Sequence, residues 1–319
     1  MAPAAEDPAH ADPMAERAAL ARALARELGR RRWHGERQAT QAAPPEERAQ
    51  AVGASGVGQE SVPARSAEEA PRSDAQQPNP DSQATDRGHE PQAAGQSAAP
   101  PSGMPAAPQG PLSANEVAAR REAVRSLAAG AANLDELRAR VSSCTACGLC
   151  ASRTQTVFMD GDGRRGIAFV GEAPGEQEDR RGVPFVGPAG QLLTDIITKG
   201  MGIEREEVAI ANVLKCRPPG NRDPLPEEKA ICTPWLERQL ELIGARVLIP
   251  LGRHAAGHLL GTPEATMGSM RGQTHQRGEV TVVPTYHPAY LLRNPGDKRL
   301  CWADIQRAMS AAGLPGHAR

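Results

Sequence analysis

The chain has 319 residues with 37 basic and 38 acidic side chains, a formal net charge of −1, which permits a nucleic-acid partner without demanding one. No stretch approaches the eighteen or so apolar residues of a membrane span, and the N-terminal MAPAAEDPAH lacks the basic-then-apolar pattern of a secretory leader. A cytoplasmic protein is expected, whose six cysteines stay reduced and serve as ligands or core residues rather than disulfides.

Residues 1–112 are dominated by Ala, Pro, Gly, Gln, Ser and charge, a composition that buries too little apolar surface to offset its ordering entropy. They read as a disordered tail, and residues 113–319 as one catalytic-sized domain. Charge divides similarly: residues 1–115 carry 11 basic and 15 acidic groups, and the remainder 26 and 23. Within the tail, Leu20, Leu24 and Leu28 recur at helical spacing before Arg30, Arg31 and Arg32. Residues 14–33 are therefore expected as a short helix, either fraying on the arm or docking a protein partner.

Helical spacing resumes over 113–141, broken at Gly130, with Asn133 as a helix start. Beyond it, strands are expected at 166–170, 208–213, 246–251 and 280–285, and helices at 189–199, 226–243, 253–260 and 297–311. Strands alternating with helices imply right-handed crossovers. The expected fold is α/β: a three-layer α/β/α sandwich around a central, mainly parallel four-stranded sheet.

The segment 171–190, GEAPGEQEDRRGVPFVGPAG, joins the first strand to its helix with five glycines, three prolines and four acidic residues. A plain connector takes two to six residues, and ligands of open α/β sheets sit beyond the carboxyl ends of strands. The second strand runs into NVLKCRPP and the fourth into TYHPAY, while the third, with LGRH, is the weaker member. A parallel sheet brings these ends to one edge, which marks the candidate site.

Cys144 and Cys147 form a CxxC, and Cys216 and Cys232 follow sixteen residues apart. Four thiolates from two distant segments suit a tetrahedral zinc site or a [4Fe-4S] cluster, and the irregular spacing leans slightly to the cluster. Cys150 competes with Cys147 as a ligand, and Cys301 reads as a core residue.

GEAPGEQEDRRGVPFVGPAG, NVLKCRPPGNRDP and TYHPAYLLRNP, together with cysteines 144, 147, 216 and 232, resemble the family 4 uracil-DNA glycosylases over residues 137–311. The resemblance implies a [4Fe-4S] cluster on those four cysteines. It also implies hydrolysis of the N-glycosidic bond of uracil flipped out of DNA, leaving an abasic site as the first step of base excision repair. Carried onto this chain, Gly171, Glu172 and Ala173 lie against the uracil, Phe185 stacks on it, and Asn212 pairs with its edge. An amide offers the donor and acceptor that uracil requires. His287 donates to uracil O2 as the base departs, an oxyanion-type contact. Glu178, with Glu172, steadies the sugar cation or orients water, and a side chain such as Glu178 excludes thymine. Leu291 is the wedge that enters the base stack, Leu292 belongs to the buried face, and Lys215, Arg217, Arg222 and Arg293 are phosphate contacts. The expected partner is uracil-containing DNA, single- or double-stranded, met by a monomer. The other class considered is a non-catalytic iron–sulfur DNA-binding or replication-accessory module.

Overall fold

The computed structural model describes residues 100–315, so the tail helix expected at 14–33 lies outside the described residues. In chain order the elements are α1 (Ala114–Ala129), α2 (Leu134–Ser142), β1 (Ile167–Gly171), α3 (Glu176–Arg181) and α4 (Pro188–Asp195). They continue with β2 (Ala209–Asn212), α5 (Pro226–Leu242), β3 (Val247–Pro250), α6 (Arg253–Leu260) and α7 (Met267–Met270). The last are β4 (His275–Arg277), β5 (Val280–Val282), α8 (Pro288–Arg293) and α9 (Lys298–Ala311).

The two first helices start where side chains satisfy free N–H groups. Ser113 and Glu116 form a reciprocal capping box at α1, and Asn133 accepts from the Glu136 amide at α2. The chain does not wait for residue 113 to join the domain. Met104 and Leu112 pack on the core, Thr145 Oγ1 donates to the Pro105 carbonyl at 2.7 Å, and Arg120 donates to the Ala106 carbonyl at 2.8 Å. The expected boundary at 112 therefore falls too late, because the Pro-rich composition hid two apolar anchors.

The sheet has five strands, not four, in the order β2-β1-β3-β5-β4. β2, β1, β3 and β5 run parallel, and β4 closes one edge antiparallel to β5. That strand, His-Gln-Arg, is short and polar and gives no apolar alternation to read. Its polarity suits an exposed edge.

Successive strand residues face opposite layers. Ala168, Val170, Ala209, Ala211 and Leu248 join one core with Trp235 and Leu236 of α5 and with α1 and α2. Ile167, Phe169, Ile210, Val247 and Ile249 join the other with Leu193 of α4, Leu291 of α8 and Ile305 of α9. The three layers are thus helix, sheet, helix. α5 packs against α1 and α2 as well as joining this core, so ten consecutive α5 residues, Ile231 to Leu240, are buried.

Candidate functional site

β1 ends at Gly171 and β2 at Asn212, paired side by side in register. A Cβ on Gly171 would stand 2.3 Å from Asn212 Oδ1 and 2.7 Å from Phe185 Cζ. Only hydrogen at that position lets the amide and the ring close on the strand end. Glu172, Ala173, Phe185, Asn212 and His287 all line one open cavity of about 860 Å³ beyond the carboxyl ends of the strands. The structure thus brings together the residues that the three motifs supplied.

Phe185 holds a left-handed backbone, φ 55°, a conformation costing a bulky residue on the order of 1–3 kcal/mol unless its surroundings enforce it. Arg205 does so. Its guanidinium donates to the Pro184 and Phe185 carbonyls at 2.9 and 3.3 Å, to Thr194 Oγ1 at 2.8 Å and to Asp160 at 2.8 Å. Gly190 completes the turn, since a Cβ there would sit 1.8 Å from the Phe185 oxygen. The sequence held no sign of Arg205, which lies twenty residues from the turn it clamps.

His287 precedes α8, and its Nδ1 accepts from the Ala289 amide at 3.1 Å. The proton of the neutral ring must then sit on Nε2. Burial drives its pKa down to about 4, with Arg293 adding to the fall and Glu178 opposing it. Its ring stands 5.6 Å from that of Phe185, tilted by 32°. The site therefore holds an aromatic face, a neutral imidazole donor and an amide. The oxygen of that amide, Asn212 Oδ1, is buried without a hydrogen-bond partner.

The two acids differ from each other. Glu178 Oε2 accepts from Gly175 N at 3.1 Å, and Oε1 from Val186 N at 3.1 Å and Gly187 N at 3.4 Å. Its carboxylate staples the 172–187 loop to itself while lining the cavity. Glu172 Oε1 is buried and without a hydrogen bond. Burial lifts its pKa to about 7 against the pull of Lys229; Asp223 raises it further and Arg253 lowers it. His254 Nδ1 lies 3.6 Å and Lys229 Nζ 3.9 Å from Glu172 Oε1. His254 is thus a pocket residue that the weaker LGRH strand end only hinted at.

Three further expectations are corrected. Leu291 is 1 % exposed in the core beneath α8, whereas Leu292 is 46 % exposed; the helical turn at 288–293, expected as loop, inverts the two. Lys215 is 1 % exposed and meets no solvent-borne phosphate. Arg222 forks onto Glu228 at 2.9 and 2.6 Å and, like Arg293, remains an exposed cation at the cavity rim.

Cys144, Cys147, Cys150, Cys216 and Cys232 line a second, smaller cavity with Arg153, Lys215 and Trp235. Cys301 is buried elsewhere, in the α9 core. Arg153 Nη1 donates to Cys216 Sγ at 3.3 Å, and the Lys215 amide to Cys232 Sγ at 3.4 Å. The indole N–H of Trp235 is buried there with no acceptor at hydrogen-bond geometry, Cys144 being the sulfur it influences. Burial and mutual repulsion push the Cys147, Cys216 and Cys232 thiols far up, so thiolates there require a cationic guest.

Among the described residues, only Glu172, Asp223 and His254 bring three ligand atoms within 4.8 Å of one another; the cysteine sulfurs spread wider. Tetrahedral zinc, with bonds near 2.3 Å, needs sulfurs about 3.8 Å apart. Several thiols, N–H donors aimed at sulfur and this breadth fit a group larger than one ion. Cys147 is buried while Cys150 is half-buried, its Sγ 4.0 Å from the Thr145 carbonyl.

A parallel sheet with its ligand cavity at the strand ends, closed by the glycine-rich, Asn and His-Pro segments, defines the class: the uracil DNA glycosylase superfamily, whose family model matches residues 158–306. Within it, the chain is 45 % identical over 174 residues to the type-4 uracil-DNA glycosylase of Thermotoga maritima, covering 54 % of this chain and 90 % of the relative. It is 40 % identical over 190 residues to that of Sulfurisphaera tokodaii, covering 57 % and 86 %. A type-5 enzyme of Pyrobaculum aerophilum matches at 31 % over 137 residues, 43 % of this chain and 59 % of the relative. The chain belongs to the type-4 uracil-DNA glycosylase family.

Proposed function

We propose a division of labour among the cavity residues for the activity that family membership brings, hydrolysis of the uracil N-glycosidic bond in DNA to leave an abasic site for repair. The observation carrying it is the closure of Asn212 and Phe185 on Gly171, with His287 beside Phe185 in the same cavity. Phe185 stacks on the extruded base, a contact worth roughly 1–3 kcal/mol. The unpartnered Asn212 amide pairs with the uracil edge, and a base presenting the reversed pattern leaves it unpaired. As the C1′–N1 bond breaks, its electron pair moves onto the base and spreads to O2. His287 Nε2–H meets that charge as a neutral donor and keeps its proton. Water adds to C1′, and its proton passes to Glu172, which lines the cavity and whose pKa burial raises to about 7. Leu292, exposed beside Arg293, is the wedge that fills the vacated stack.

Cys144, Cys147, Cys216 and Cys232 would hold a [4Fe-4S] cluster, which when bound ties the CxxC segment to β2 and α5 and supplies rigidity rather than chemistry. Its presence is read from iron content and visible absorption of anaerobically purified protein; a colourless, stoichiometric zinc protein overturns it. The enzyme is assigned to the cytoplasm, where its thiols stay reduced. A labelled oligonucleotide with one uracil, treated with the protein and then with alkali, should be cut at the uracil. Intact DNA after treatment with metal-loaded protein would refute the glycosylase reading and leave the DNA-binding module.

A further inference from the structure

Lys215 lies between the two cavities and belongs to neither function yet described. It is 1 % exposed, a place lysine rarely takes without a counter-charge. Its ammonium donates to the Asn212 backbone carbonyl at 2.7 Å, and its backbone N–H donates to Cys232 Sγ at 3.4 Å. Its side chain lines the cysteine cavity. Its nearest ionisable neighbours are Cys232 and Cys216.

The peptide unit following Asn212 is held from both ends. The Val213 N–H donates to the Gly171 carbonyl at 3.0 Å, and the Asn212 C=O is gripped by Lys215. The Asn212 side chain has no partner of its own for Oδ1, so its aim depends on the peptide that carries it.

We propose that Lys215 is a positioning residue that couples the cysteine site to base recognition: anchored by its N–H on Cys232 Sγ, it holds the Asn212 carbonyl and so the reading geometry of Asn212. The inference rests on Asn212 reading the base. Coupling of this kind is reciprocal.

The test uses the full chain, purified anaerobically, as wild type, Lys215→Met, Asn212→Ala and the double variant at matched iron content. Affinity is measured for a single-stranded oligonucleotide bearing 2′-fluoro-deoxyuridine, whose glycosidic bond resists cleavage, against the same strand with thymidine. Lys215→Met should weaken the uracil strand about ten- to a hundredfold and leave the thymidine strand unchanged. In the Asn212→Ala background it should have no further effect. Reciprocity predicts that Lys215→Met also loses iron to a chelator faster than wild type. Equal uracil affinity, or a loss that adds in full to that of Asn212→Ala, overturns the coupling. If Asn212→Ala alone binds like wild type, the reading of Asn212 fails first and the coupling falls with it. Should Lys215→Met not accumulate, Lys215→Gln takes its place; if neither binds iron, Lys215 serves the cysteine site alone and the proposal is overturned.

Discussion

Gly171→Ala isolates the base slot from the rest of the fold. The added Cβ would sit 2.3 Å from Asn212 Oδ1 and 2.7 and 2.9 Å from Phe185 Cζ and Cε2, distances that real contacts do not tolerate. β1 itself is held, since Ala168, Phe169 and Val170 are paired on both sides by β2 and β3 and Gly171 is paired with Asn212. The amide and the ring must therefore give way. Overpacking of this kind costs about 1–3 kcal/mol, or roughly 2–12 °C in Tm for a domain of this size. Activity should fall further, because a displacement near 1 Å of groups that orient the reacting base costs on the order of a hundredfold. The assay is kcat/KM on a uracil oligonucleotide beside a thermal melt of the same sample. Wild-type kcat/KM would refute the claim that Asn212 and Phe185 define the slot, whatever the melt shows.

Arg205→Ala should lower kcat/KM about tenfold or more by releasing the strained Phe185 turn, with iron content unchanged; steady-state kinetics and an iron assay check it. Leu291→Ala should cost about 2–5 kcal/mol of stability as a core truncation. Leu292→Ala should leave the melt unchanged and reduce cleavage of duplex more than of single-stranded substrate. Activity should follow the Glu172 carboxylate, falling as pH drops below about 7, and Glu172→Gln should abolish that limb. His287 stays neutral until about pH 4 and adds no second limb above pH 5. Their stability signs are opposite. The raised Glu172 pKa contributes stability present below the unfolded value near 4.5 and lost as pH rises through 7. The lowered His287 pKa contributes stability present above 6.5 and lost as pH falls toward 4. Melts of the two single variants across pH 4–8 separate them.

The amino-acid order by itself determined the alternation of strand and helix, the parallel core and the loops that meet at one edge. Those features rest on local pattern: apolar runs in β1, β2 and β3, capping at Ser113 and Asn133, and glycine at 171 and 190 where backbone and ring approach closely. It also held the cysteine set, because ligand chemistry is a matter of residue type.

Tertiary structure decided the rest, where distance in space has no counterpart in spacing. Glu178 and Glu172 share one acidic loop, yet backbone amides from 175, 186 and 187 hold the first and burial raises the pKa of the second to about 7. Leu291 and Leu292 exchange roles through a 100° step around a helix six residues long. Lys215 reads as a surface cation, but the fold turns it inward between the cysteines and Asn212. Burial and hydrogen-bond supply are set by whatever packs across the sheet, and that partner is known only once the chain has closed on itself.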